Sequence, residues 1–395
     1  MGLDLAVAWS RGGGTQDHSA DVLYLTGFYT PQPFVPDLAA GSSGGFARDW
    51  RWRAAGHAAA VIATDGPVSL VVDDDELQDP QPVADAVVVS ADPVEAVADL
   101  ILADGRGSGD GNRKRVGLLG GEALAARWAR RLAQRLGDRI ELVEADELSW
   151  GLRTIKSPAE MTLLRASGAL GARAMEIAMS AAVPGASEAE VAGALAAEVV
   201  GQGGALYDVV LSAGPWAHTL APSGGAAGVA GYTTRQLGAG ELLRIDAYGS
   251  LGGYLFDFAR SRVVGRPPNA SQREHLDAVR DSVQAGIGAL RPGVTLGAVA
   301  DRCEAALASS SYTRRHGTPA SALGGAWGHG LGLGFEPPWI DLGSEVVVEE
   351  GMCFAIERRI GTPGVGGAQY EDSVLVGSGG AELLTPAPAD YHSEP

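Results

Sequence analysis

Glu241-Leu-Leu-Arg-Ile-Asp246-Ala-Tyr-Gly-Ser-Leu-Gly-Gly-Tyr-Leu-Phe-Asp257-Phe-Ala-Arg-Ser261 reads as two short strands joined by a glycine turn. Leu242, Leu243 and Ile245 precede the first aspartate, and Tyr254, Phe256 and Phe258 surround the second. A carboxylate inside an apolar strand is costly to bury unless positive charge meets it. Within this stretch the cations are Arg244 and Arg260. Paired as a hairpin, the strands let Asp246 and Asp257 face each other, an arrangement better suited to metal ions than to a salt bridge.

Three later stretches extend the pattern. Gly328-His329-Gly330-Leu-Gly332-Leu-Gly334 sets a histidine among glycines, where backbone can approach closely. Glu350-Gly-Met-Cys-Phe-Ala-Ile-Glu357 and Gly366-Gly-Ala-Gln-Tyr-Glu371-Asp372 place further carboxylates in strand-like apolar runs. Asp246, Asp257, His329, Glu357 and Glu371 are thus five potential ligands, each in an apolar or glycine-rich setting. Four carboxylates and one imidazole make a hard, oxygen-rich donor set. It suits two divalent ions, Mn²⁺ foremost, with Co²⁺, Fe²⁺ or Zn²⁺ possible, and a bridging hydroxide as nucleophile.

The order of these residues resembles the pita-bread metalloenzymes: methionine aminopeptidase, aminopeptidase P, prolidase and creatinase. The resemblance spans about residues 150 to 385 and is looser before them. It implies a creatinase-like α/β N-terminal domain over 1–150 and an α+β pita-bread catalytic domain over 151–395, the latter with a pseudo-twofold duplication. It also implies that Asp257 and Glu371 bridge two metal ions, that Asp246 holds one, and that His329 and Glu357 hold the other. Glu357 is then the candidate general base. His218, in Ser212-Ala-Gly-Pro-Trp-Ala-His218, falls where these enzymes place a substrate-facing histidine. A catalytic role in hydrogen bonding the substrate or the developing tetrahedral centre is expected of it. A homodimer is implied as well.

Departures from the family concern the substrate side. The proline peptidases carry a second histidine about seven residues beyond the metal histidine, where this chain has Leu333-Gly334-Phe335-Glu336-Pro337. Either Glu336 takes that place or a one-residue deletion gives it to Phe335. Glu357-Arg358-Arg359 replaces the usual Glu-Pro-Gly, and Gln369 stands where the family has an arginine. Phe335, Trp216, Trp327 and Trp339 are candidates to wall an apolar pocket. Glu336 is a further candidate for substrate binding, and Arg358 or Arg359 for holding a substrate carboxylate.

Duplication is legible in the second part. Ser157 with Glu160, and Ser187 with Glu190, are capping boxes, and Pro158 sits at a first helical position. Pro184-Gly-Ala-Ser187 is echoed by Pro292-Gly-Val-Thr295, each a turn that opens a helix and follows another helix. The first part alternates strand-like runs (Val22–Thr26, Ala58–Ala63, Val68–Val72, Ala86–Ser90) with helical ones (Val94–Leu102, Ala123–Leu132), which predicts an α/β layer. His275 and His316, set among charged residues, are expected at the solvated surface.

The 395 residues are enough for two domains. A net charge of −18 with no long basic run argues against nucleic acid and anionic membranes. Cys303 and Cys353 are the chain's two cysteines, which fits a reducing cytosol rather than a disulfide scaffold. The acidic N-terminus lacks the features of a signal peptide, no apolar run reaches membrane-spanning length, and a cytoplasmic protein is expected. Lys114 and Lys156 are the lysines of an otherwise arginine-based chain. The expected activity is hydrolysis of a C–N bond in a small, Xaa-Pro-dipeptide-like substrate. The alternatives are a non-peptidase of the same fold, hydrolysing an amidino or ring-amide compound or acting as a lyase, and an inactive binding module.

Overall fold

The computed structural model describes residues 2–11, 20–29, 57–73, 83–90, 92–105, 113–214, 217–219, 231–317, 326–389 and 391. The chain divides into two units, Met1–Leu152 and Arg153–Pro395.

In the first unit the elements run β1 (Leu5–Arg11), α1 (Ala20–Thr26), β2 (His57–Ala63), β3 (Val68–Val72), β4 (Ala86–Val89), α2 (Pro93–Ala103), β5 (Lys114–Leu119), α3 (Ala126–Leu136), β6 (Ile140–Glu144) and α4 (Asp146–Thr154), whose last residues lie past the division. The strands form one mixed sheet in the order β4-β3-β2-β1-β5-β6. Period-two alternation splits β1 between two cores. Leu5, Val7 and Trp9 meet Val97 and Ile101 of α2 and Trp128 and Leu132 of α3, whereas Ala8 packs with Val22 of α1. Residues 22–26 are therefore helical rather than the expected strand: a short apolar run is ambiguous, and here Asp21 opens the first turn while Thr26 Oγ1 donates back to the Val22 carbonyl at 2.7 Å. Lys114 Nζ reaches the Ile101 carbonyl at 3.2 Å, the Asp104 carbonyl at 2.7 Å and Asp104 Oδ2 at 2.6 Å, closing the C-terminal end of α2.

The second unit continues with α5 (Pro158–Ala181), α6 (Glu188–Gly201), β7 (Ala205–Ala213), β8 (Leu242–Leu251), β9 (Tyr254–Val263), α7 (Ala270–Ala289), α8 (Leu296–Ala308), α9 (Ser311–His316), β10 (Gly328–Leu331), β11 (Phe335–Trp339), β12 (Cys353–Thr362), β13 (Gly366–Gly377) and β14 (Gly380–Leu383). Both capping boxes form, at Ser157 and Ser187. Helices α5 and α6 pack on the antiparallel sheet β7-β8-β9, and α7 and α8 pack on β11-β10-β12-β13-β14.

The two halves repeat in hydrogen-bonding detail. The Gly185 and Gly293 amides bond to the Leu237 and Val348 carbonyls, and Ser187 and Thr295 form matching single bridges to Gln236 and Val347. Gly240 and Gly351, at φ 84° and 92°, adopt the left-handed turn that leads into β8 and β12, and their amides bond to the Val264 and Val376 carbonyls. Each turn stands six residues before a carboxylate, Asp246 or Glu357.

A reciprocal pair of serines joins the halves where β9 passes β13. Ser261 Oγ donates to the Gln369 carbonyl at 3.0 Å and accepts from its amide at 2.9 Å. Ser373 Oγ donates to the Asp257 carbonyl at 2.6 Å and accepts from its amide at 3.3 Å. Residues 257 and 369 thus hold equivalent places about the pseudo-dyad.

His275 is fully buried, contrary to its expected surface position. Its Nδ1 lies 2.8 Å from the Ser271 carbonyl and its Nε2 3.0 Å from Thr362 Oγ1, so α7 carries the ring inward and burial lowers its pKa. No helix among the described residues is long and apolar enough to cross a membrane.

Candidate metal centre

Strand register decides which side chains meet. Asp246 lies opposite Ala259 and Asp257 opposite Tyr248, so the two aspartates share a face but sit diagonally rather than directly across the hairpin. In the second half Glu357 faces Glu371 and His329 faces Ala355. The alternation gathers Arg244, Asp246, Tyr248, Asp257, His329, Glu357, Arg359, Gln369 and Glu371 on the inner faces of the sheets.

Asp257, His329 and Glu371 are buried and offer ligand atoms within 4.8 Å of one another. His329 Nε2 is 3.4 Å from Asp257 Oδ2. Its Nδ1 lies 3.0 Å from the Gly330 carbonyl, which can only accept, so the proton sits on Nδ1 and Nε2 faces the carboxylates.

Asp246 and Glu357 are held together by a third side chain. Gln369 Nε2 donates to Asp246 Oδ2 at 3.0 Å and to Glu357 Oε2 at 3.1 Å, while its Oε1 accepts from an Arg244 guanidinium nitrogen at 2.9 Å. Burial, then the charges of Asp257 and Glu357, push Asp246 up to about 7. Glu357 and Glu371 are raised for the same reasons, burial first and neighbouring carboxylates second. Burial depresses His329, but contact with the Asp257 carboxylate outweighs it and leaves the imidazole raised. Such a cluster either holds protons or takes up cations. Its donor set, four carboxylates and one imidazole, fits divalent metal.

The substrate side departs further from expectation. Phe335 is half-buried with its ring edge-on to His329, centroids 4.7 Å apart, and Trp339 reaches the same imidazole at 5.5 Å while 43% exposed. Glu336 does not face this space. It is buried in ion pairs with Arg153 at 3.0 Å and Lys156 at 3.1 Å, because the next residue along β11 points to the opposite side. Arg358, expected to hold a substrate carboxylate, also points away: its guanidinium lies 4.5 Å from the Trp327 ring centroid, and both side chains belong to the core beneath α8. Arg359 is the half-buried residue on Glu357's face. Burial lowers its pKa and the charges of Glu357 and Asp246 oppose that shift. Arg260, on the outer face of β9, answers Asp372 at 2.6 Å rather than the inner carboxylates.

The His218 segment rests on a pair of opposed glycines. A Cβ on Gly361 would meet the His218 Cα at 2.5 Å, and one on Gly367 would meet the Ala217 carbonyl oxygen at 1.9 Å. Gly361 is four residues along β12 from Glu357 on the same face, about 13 Å away by strand rise. Trp216 lies outside the described residues. Among residues not singled out as site candidates, Gln369, Arg244 and Tyr248 belong to the inner face. Even spacing from Asp246, Glu357 and Glu371 was the available signal.

A family model for metallopeptidase family M24 matches residues 162–378, more than half of the chain. The chain belongs to metallopeptidase family M24. The probable dipeptidase PepE of Mycobacterium tuberculosis is 32% identical over 262 residues, covering 65% of this chain and 64% of that relative's length. The agropine synthesis cyclase of Rhizobium rhizogenes is 34% identical over 139 residues, 34% of this chain and 33% of that protein. In structure, the prolidase from Pyrococcus horikoshii superposes with a TM-score of 0.74 at 20% identity, covering 98% of this chain and 94% of the other. This M24 chain therefore has the two-part fold of an α/β N-terminal domain followed by a pita-bread domain, and membership of the family implies divalent metal ions.

Proposed function

We propose that this M24 protein is a dinuclear-metal-dependent hydrolase that cleaves the amide bond of a small, dipeptide-like substrate. The gathering of Asp246, Asp257, His329, Glu357 and Glu371 on facing inner strands carries the reading. We assign these five as the residues that would hold two divalent ions, Mn²⁺ in preference to Co²⁺, Fe²⁺ or Zn²⁺. Bound divalent ions supply Lewis acidity and lower the pKa of water towards neutrality.

The chain's own residues do the rest. Glu357, half-buried beside Asp246, accepts and returns a proton as general base. His218, on its glycine seat, donates to the substrate oxygen where negative charge develops. Phe335 and Trp339 present apolar edges around His329, a surface for a ring or aliphatic side chain. Arg359, not Arg358, is the cation placed to hold a substrate carboxylate. A reducing cytosol suits the buried free thiols Cys303 and Cys353, and a homodimer remains the family-based expectation.

The likeness to a cyclase keeps a second reading in view, a non-peptidase of this fold acting on a small molecule. One experiment separates them: metal content of the purified protein beside Mn²⁺-supplemented hydrolysis of an Xaa-Pro dipeptide panel. About two ions per chain with turnover supports the peptidase. Metal without turnover moves the activity to non-peptide substrates, and absence of metal binding rejects both.

A further inference from the structure

Asp246 and Glu357 hold equivalent positions in the two halves, each the inward carboxylate of the strand that follows a left-handed glycine turn. They lie in different sheets, so no strand pairing ties one directly to the other. Two like charges without such a link separate by repulsion. The side chain that bonds to both carboxylates is Gln369, whose amide nitrogen has two hydrogens and gives one to each, at 3.0 and 3.1 Å.

An amide has two faces, and only one serves. Flipped by half a turn, Gln369 would turn its carbonyl oxygen to the carboxylates and repel both. Arg244 prevents that. A guanidinium has donors and no acceptor, so the 2.9 Å contact with Oε1 is satisfied only when the nitrogen points to Asp246 and Glu357. The Gln369 backbone is in turn pinned by Ser261 across the junction of the halves.

We infer that Arg244, acting through Gln369, is a positioning residue that orients the amide and so fixes the spacing of Asp246 and Glu357 for the two ions. This rests on the proposed metal site. It extends that reading to a residue that touches neither ion nor substrate, and to an arginine two residues before the first ligand on the same face of β8.

The test uses the full-length protein with Arg244→Met, Arg244→Gln, Gln369→Ala and the double variant Arg244→Met/Gln369→Ala. Mn²⁺ affinity is measured by calorimetry, and metal-free crystal structures give the amide's orientation. Arg244→Met is expected to weaken binding of at least one Mn²⁺ by about tenfold or more. Arg244→Gln keeps a donor to Oε1 and is expected to restore most of that loss. The double variant should bind no worse than Gln369→Ala, since the arginine acts through the amide. In metal-free crystals of Arg244→Met the Gln369 nitrogen should leave one or both carboxylates.

Unchanged hydrogen bonds from Gln369 in that crystal, or unchanged Mn²⁺ affinity, overturns the inference. Full additivity in the double variant does so too. Should Arg244→Met not fold, an unchanged Asp246–Glu357 spacing in metal-free crystals of Gln369→Ala overturns it as well. A wild-type protein that takes up no Mn²⁺ rejects the functional reading, and the crystal comparison still decides the relay.

Discussion

In the first half of the second unit the strand after Gly240 carries Asp246, and its partner strand carries Asp257 and then Ala259. In the second half the strand after Gly351 carries Glu357, and its partner carries Gln369 and then Glu371. The turns, the bridges at Ser187 and Thr295 and the reciprocal serines match closely, so the scaffold is symmetric. The equipment is not. At the equivalent positions 257 and 369, one half supplies the carboxylate that meets His329, and the other supplies an amide that ties two carboxylates together. A duplicated fold provides paired inward positions, and side-chain choice at a few of them turns the pair into an asymmetric site.

The comparison breaks most visibly where the halves share a ligand set. Asp257→Ala or Glu371→Ala is expected to abolish both metal binding and turnover, read by metal analysis and a dipeptide assay. Activity surviving either change would sink the assignment of these ligands. Asp246→Asn and Glu357→Gln compare equivalent positions. If Glu357 is also the base, its variant should lose about 10²- to 10⁴-fold in kcat, and Asp246→Asn distinctly less at equal metal occupancy. Equal losses would make the two halves functionally alike.

His218→Ala should lower kcat by about ten- to a hundredfold with metal content unchanged, within the range for removal of a hydrogen-bond donor to a developing charge. Unchanged kinetics would return this residue to a structural role. Stability sharpens the symmetry itself. Ser261→Ala and Ser373→Ala each remove a buried hydroxyl shared between halves and should cost about 1–3 kcal/mol apiece by chemical denaturation. Widely different costs would show that the junction is not balanced.

The smallest effect concerns pH. Asp246 is raised from 3.8 to about 7 in the folded metal-free chain, and Glu357 and Glu371 are raised too. Between about pH 4 and 7 the folded state therefore binds more protons than the unfolded state, so its stability falls as pH rises. Metal removes that penalty, and the gain in melting temperature on adding Mn²⁺ should be larger at pH 7.5 than at pH 5. A gain independent of pH would contradict the clustering.

The chain's local chemistry told much of this in advance. Capping boxes at Ser157 and Ser187 and the Pro-Gly echo mark helices and duplication because each is a short-range device whose partners lie within a few residues. The five proposed ligand positions stand out because carboxylates in apolar strands, and a histidine among glycines, demand a reason. Residues whose role depends on facing were harder to read. Arg358 and Glu336 each lie one step from an inward residue, and one step in a strand reverses the side. Val22–Thr26 was ambiguous at its length, and the burial of His275 depends on α7 meeting Thr362, far away in sequence.

The chain's two lysines both lie out of solvent, Lys114 closing α2 and Lys156 bound to Glu336. With no other lysine in the sequence, the exposed cations are arginines. Amine-directed reagents therefore find no reactive side chain on the folded surface, and attachment through lysine, whether by a crosslinker, a dye or a cellular acylating enzyme, requires the chain first to open.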